Sequence, residues 1–160
     1  MELTVTSNRG LNAGQLIKSA ARGIITALEQ YLAPVLDLGI RLWLAKVFFL
    51  SGLTKILSWD TTLSLFQNEY QVPLLPPEVA AYAGTFTELF FPVLLVLGLG
   101  TRFAAGVLFL FNIIAVISYP DLGEVGLKDH LYWGLLLLIP LLHGPGKISI
   151  DSLIRRRFWN

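Results

Sequence analysis

Glu88, Lys55, Asn112 and His130 are the residues of this chain whose types and setting could do chemistry. Glu88 is the one charge in an apolar run, VAAYAGTFTELFFPVLLVLGL, that extends from Val79 to Leu99. A helix of that length, at ~1.5 Å per residue, crosses the hydrocarbon core of a bilayer. A carboxylate near its centre costs roughly 2.5–3.5 kcal/mol on insertion scales, so it must face the protein interior and find a partner. A carboxylate, an ammonium, an amide and an imidazole in one membrane interior can hold a proton, an ion or a small polar ligand. The competing reading is structural: a Lys–Glu pair that locks helices together.

The partner follows from helical phase. In the segment about Leu36–Leu57, Asp37, Arg41, Phe48, Gly52 and Lys55 fall on one stripe, and Lys46 points to the opposite side. Lys55 is the expected partner of Glu88, because its stripe carries Ser51 and Gly52, small residues that let helices approach closely. Asp37 and Arg41 are spaced i,i+4 and can pair locally. Thr85, Pro92 and Leu95 share the Glu88 face. Asn112 lies at similar depth in a third run, where its amide can join the same network. His130 opens a fourth, on a face with Trp133, Gly134 and Leu137.

The elements that must position these groups are helical. The chain is 160 residues long, 54% hydrophobic and only 14% charged, against about 25% charged in soluble domains, and its mean hydropathy is +0.65. Apolar stretches at about 36–57, 79–99, 103–119 and 127–143 predict an all-α integral membrane four-helix bundle over residues 35–151. Residues 1–34 form an N-terminal segment in which Ile17, Ala21, Ile24, Leu28 and Leu32 recur at helical spacing opposite Lys18, Arg22 and Glu29, which predicts an amphipathic helix lying on the membrane surface. Trp59, Leu63, Phe66 and Tyr70 predict a short interfacial helix in the loop before Pro73 and Pro76–Pro77, and Gly144–Pro145–Gly146 ends the last span. Residues 152–160 make a basic and aromatic tail, with Arg155–Arg157 beside Phe158 and Trp159, suited to a membrane surface.

Charge sets the expected orientation. Arg9, Lys18 and Arg22 precede the first span, Arg102 follows the second, and Lys147 and Arg155–Arg157 follow the fourth, whereas Ser58–Glu78 holds no Lys or Arg. All three basic regions lie on one side, so both termini are expected in the cytoplasm.

Absences narrow the chemistry. With no cysteine there is no disulfide, thiol redox centre, iron–sulfur ligation or c-type haem attachment on the chain, and Met1 is the single methionine. His130 and His143, ~20 Å apart along one helix, cannot ligate one haem together. A zinc site needs more ligands than these, so no metal site is expected. No phosphate loop, dinucleotide pattern or nucleophile elbow is present, and no cofactor is evident from the residues. Three arginines are a weak basis for nucleic-acid binding, and no nucleic acid is expected as a partner. The polar residues 1–10 are not followed by a secretory h-region.

The motifs together resemble the DoxX family. LDLGIRLWLAKVFFLSGLTKIL is similar to its opening span, with an early arginine and a late G-x-x-K. VPLLPPEVAAYAGTFTELFFPVLLVLGLGTRFAA is similar to its E-L stretch followed by L-G-L-x-T-R, and HGPGKISID resembles its G-P-G-x-x-S-x-D close. The likeness runs from Asp37 to Asp151 and leaves out the N-terminal helix. It implies a four-helix protein of the bacterial inner membrane, and carries over Arg41, Gly52, Lys55, Glu88, Arg102, Ser149 and Asp151 as family-motif positions. Members resemble subunits of a thiosulfate:quinone oxidoreductase, or accompany superoxide or thiol stress systems, methylamine oxidation, or clusters that make modified copper-binding peptides. KDHLYWGLLLLIPLLHGPG and NEYQVPLLPPE look most like the last group.

Three functions stand as expectations. The leading one is an accessory or anchoring subunit, not an enzyme as an isolated chain, in a redox, stress-response or modified-peptide maturation system, with the bilayer and other proteins of its pathway as partners. The second is the membrane subunit of a quinone-linked oxidoreductase, the quinone being implied by the resemblance alone. The third is a small-molecule or ion transporter, for which four short helices would need a homo-oligomer.

Overall fold

The computed structural model describes residues 12–158, so Arg9 and Trp159 lie outside the described residues. Residues 1–34 and 35–160 form two compact units. The first contains α1 (Ala13–Ala27), begun by a capping box in which Asn12 and Gln15 exchange bonds, and a π-helical stretch at Leu28–Leu32. Its apolar residues, Leu16, Ile17, Ile24, Ile25, Leu28 and Leu32 among them, are exposed within the chain.

The second unit is also all-α. It comprises α2 (Ala33–Leu57), which begins at its boundary with the first, α3 (Trp59–Asn68), α4 (Pro77–Leu97), α5 (Thr101–Ser118), α6 (Gly123–Leu142) and α7 (Ile150–Phe158). Among the described residues three helices, α4, α5 and α6, are long and apolar enough to cross a membrane. They start two to four residues before the apolar runs do, because a helix N-terminus accepts Pro77, Thr101 and Gly123 outside the hydrophobic stretch. The 25-residue α2 matches them in length but carries Asp37, Arg41, Lys46 and Lys55.

One core joins four of these helices. Leu44 and Phe48 of α2, Leu95 of α4, Ala105 and Leu108 of α5, and Leu137 of α6 pack together. The inward stripes follow the 3.6 period: Arg41, Leu44, Ala45, Phe48 and Gly52 on α2, and Ala81, Thr85, Glu88, Pro92 and Leu95 on α4. Small residues bring the helices close. A Cβ on Gly52 would lie 2.8 Å from Leu89 Cγ, and one on Gly134 would lie 3.3 Å from Asn112 Nδ2. The short helix expected over Trp59 to Tyr70 is α3, whose Phe66 packs with Ala80 and Ala81.

The turn between α4 and α5 takes three residues, Gly98 to Gly100. Gly98 (φ 65°) and Gly100 (φ 56°) both adopt the left-handed conformation that glycine enters without steric cost.

Candidate functional site

Lys55 reaches Glu88, as its stripe predicts. The ammonium lies 2.7 Å from Glu88 Oε2 and donates to Oε1 at 2.9 Å. Ser51, one turn before Lys55, completes the group: its hydroxyl donates to Glu88 Oε1 at 3.0 Å and accepts from Lys55 Nζ at 3.0 Å. The side chains are 18% and 6% exposed for Lys55 and Glu88, so the pair is withdrawn from solvent. Lys46 is exposed, with its ammonium 5.9 Å from the Trp43 ring centre. The backbone contributes too: Pro92, four residues after Glu88, has no N–H to give the Glu88 carbonyl.

Asn112 and His130 form a second, separate pair. Asn112 Nδ2 donates to the His130 carbonyl at 2.9 Å, and His130 Nδ1 lies 2.8 Å from Asn112 Oδ1. Asn112 is therefore engaged by α6, not by Glu88 as a single network would require. Its two hydrogen-bonding groups are both taken up by one residue across a close helix contact.

The two pairs meet at a cavity of about 560 Å³, within the range of small-molecule sites. Lys55, Glu88, Ser51 and His130 line it, and Asn112 stands behind His130. Most of its other lining residues are apolar or aromatic, with Phe48, Phe111 and Trp133 prominent. Trp133 packs edge-on to both Phe48 (6.1 Å) and His130 (4.8 Å). The loop after α3 closes one side with Tyr70, Val72 and Leu75, held where Gln71 N donates to the Ser118 carbonyl at 2.7 Å. Tyr70 and Tyr119 stack edge to face at 5.1 Å on that side. Burial raises the Tyr70 phenol above its usual value, and Tyr119 and Glu69 add to the effect. The Ser118 hydroxyl is buried at the wall and has no hydrogen-bond partner among the described residues.

Sequence reasoning reached Lys55, Glu88, Asn112 and His130, but read Ser51 only as a small residue for close helix approach. It did not reach Ser118. The signal for Ser51 was its i,i+4 spacing to Lys55; Tyr70, Ser118 and Tyr119 carry none, because only the return of the loop after α3 brings Tyr70 beside the end of α5, where Ser118 and Tyr119 sit.

The remaining family-motif positions gather at the other end of the bundle. Arg41, 1% exposed, donates from Nη1 to the Leu95 carbonyl at 3.3 Å and from Nη2 to the Ile148 carbonyl. It makes no ion pair within 4.0 Å with Asp37, contrary to the i,i+4 expectation, because its guanidinium turns inward across α4. Asp151 caps α5, accepting from Gly100 N (2.8 Å), Thr101 N (2.9 Å) and the Thr101 hydroxyl (3.0 Å), while its own N–H donates to the Gly98 carbonyl at 2.9 Å. A carboxylate there satisfies orphan amides and meets the positive end of the helix dipole. Ser149 Oγ accepts from Ser152 N at 3.1 Å and so caps α7. Arg102 donates to the Leu142 carbonyl at 3.3 Å, tying α5 to the end of α6. Gly52 belongs instead to the Lys55–Glu88 contact.

Three bilayer-length helices and an ion pair buried beside them define a multi-pass helical membrane protein in contact with lipid. The chain belongs to the DoxX family, whose sequence profile matches residues 36–120. It is similar to an uncharacterized protein of Haemophilus influenzae, 34% identical over 126 residues that cover 73% of this chain and 82% of the relative. No solved structure matches it.

Proposed function

We propose that this chain is a four-span subunit of the bacterial inner membrane, with both termini cytoplasmic, whose cavity binds a small planar ring bearing two oxygens, of the quinone and hydroquinone class, on behalf of a redox partner. One observation carries the reading: a buried ammonium–carboxylate–hydroxyl group and an imidazole lie on the walls of one largely apolar cavity of about 560 Å³. A pure anchor has no need of such a space. Flat aromatic walls suit a ring, and Lys55 suits a ring oxygen that can draw the ammonium partly from Glu88. The chain's part is to bind and orient; electrons come from the partner.

Two features support α2 as the fourth span. It shares the core of α4, α5 and α6, and its charges at Arg41 and Lys55 are turned into that core. The one-sided distribution of Lys and Arg supports the orientation. On it, the cavity lies toward the outer face, and Arg41, Arg102 and Asp151 lie toward the cytoplasm.

The test is a fluorescence titration. The chain has four tryptophans, and Phe at Trp43, Trp59 and Trp159 leaves Trp133 as the sole emitter, at the cavity wall. Duroquinone added to this protein in nanodiscs is expected to quench with saturation, and Lys55→Met to weaken binding about tenfold, the loss of one charged hydrogen bond. Quenching that rises linearly, identical with and without Lys55, would reject the site.

A further inference from the structure

We infer that His130 presents a bare Nε2 lone pair to the cavity, so that the site selects the hydroxyl-bearing, reduced form of its ring ligand over the oxidised one. The inference rests on the ring-ligand reading above and adds the polarity of one wall.

The argument starts from Asn112. Its Nδ2 faces the His130 carbonyl at 2.9 Å. A carbonyl can only accept, so the amide cannot be turned the other way without setting two oxygens against each other. Oδ1 is thereby fixed toward His130 Nδ1 at 2.8 Å. An amide oxygen also only accepts, so Nδ1 must carry the proton and donate. In the neutral ring Nε2 then has none. Asn112 is 4% exposed, and a Cβ on Gly134 would crowd its Nδ2 at 3.3 Å, so the amide has little room to leave.

His130 lines the cavity and its Nδ1 is taken by Asn112, which leaves Nε2 as the ring nitrogen open to a ligand. Among the described residues Nε2 has no hydrogen bond. A quinone offers oxygens that accept only, and one placed there would meet a second acceptor. A hydroquinone hydroxyl donates to Nε2. Its opposite oxygen still accepts from Lys55 or from the unpartnered Ser118 hydroxyl. A missing partner at a buried polar group is costly, so the preference is expected to be about tenfold.

The test has two arms on the His143→Gln protein, in which His130 is the remaining imidazole. Nitrogen-15 NMR of the histidine-labelled, ligand-free protein reads the tautomer, with a protonated Nδ1 and a bare Nε2 expected. Titration then compares durohydroquinone under argon, duroquinone and durohydroquinone dimethyl ether. The hydroquinone is expected to bind about tenfold more tightly than either of the others, and Asn112→Leu to mix the tautomers and erase the difference. A protonated Nε2 in the wild-type site would overturn the inference whatever binds. Equal affinities on an intact Nδ1–H tautomer would also overturn it. Binding of none of the three with that tautomer present would overturn the ring-ligand reading and the selectivity with it.

Discussion

Gly52 and Glu88 meet in a close contact between α2 and α4: a Cβ on Gly52 would lie 3.0 Å from the Glu88 Cβ. That contact lets the Lys55 ammonium reach Glu88 at 2.7 Å from the next turn of α2. Gly52→Val is therefore expected to force the helices apart and cost about 1–3 kcal/mol, as overpacking does. Denaturation in mixed detergent measures the loss, and Gly52→Ala should show a smaller one.

The Lys55–Glu88 pair can be separated into its structural and ligand-binding parts. Lys55→Met alone strands a buried carboxylate, and breaking a buried pair this way costs about 3–5 kcal/mol. Lys55→Met with Glu88→Leu removes both charges and should restore most of that stability. Duroquinone binding should stay weak in the double variant. If binding returns with stability, the pair serves the fold alone.

Asp151 holds the first amides of α5 from a distant point in the chain. Asp151→Ala is expected to cost about 0.5–2 kcal/mol, the usual value of an N-cap. Hydrogen exchange should accelerate at Gly100 and Thr101 and stay unchanged at the amides of α6.

Tyr70 gives a pH dependence outside the spans. Burial, helped by Tyr119 and Glu69, raises its phenol above 10.0, so the folded protein keeps that proton when the unfolded chain releases it. The unfolded state then binds fewer protons, and stability falls as pH rises past the ordinary phenol value toward the raised folded one. Thermal unfolding between about pH 9 and pH 11 should show the decline, and Tyr70→Phe should flatten it.

Orientation is open to a direct assay because the chain has no native thiol. Asn68→Cys, at the end of α3, should react with an impermeant maleimide from the outside of intact cells. Ser19→Cys, on α1, should react only after permeabilisation. The reverse pattern would invert the proposed topology.

By itself the sequence determined the helices, the membrane and the pair. Long apolar runs with a 3.6-residue stripe admit little else, and a lone carboxylate in such a run must find a cation; Gly52 and Ser51 marked which lysine it would be. The same local logic failed for Arg41. The i,i+4 spacing to Asp37 suggested a local pair, whereas the guanidinium binds carbonyls of Leu95 and Ile148, 54 and 107 residues away. Tertiary structure alone decided that Asn112 belongs to His130 and not to Glu88. It also decided that Tyr70, Ser118 and Tyr119 face the same space as Lys55. The physical reason is that periodicity reports which side of a helix is inward but not how neighbouring helices are rotated and staggered. Those are set by where small residues such as Gly52 and Gly134 let the backbones close, and by a loop whose return places side chains no spacing rule connects.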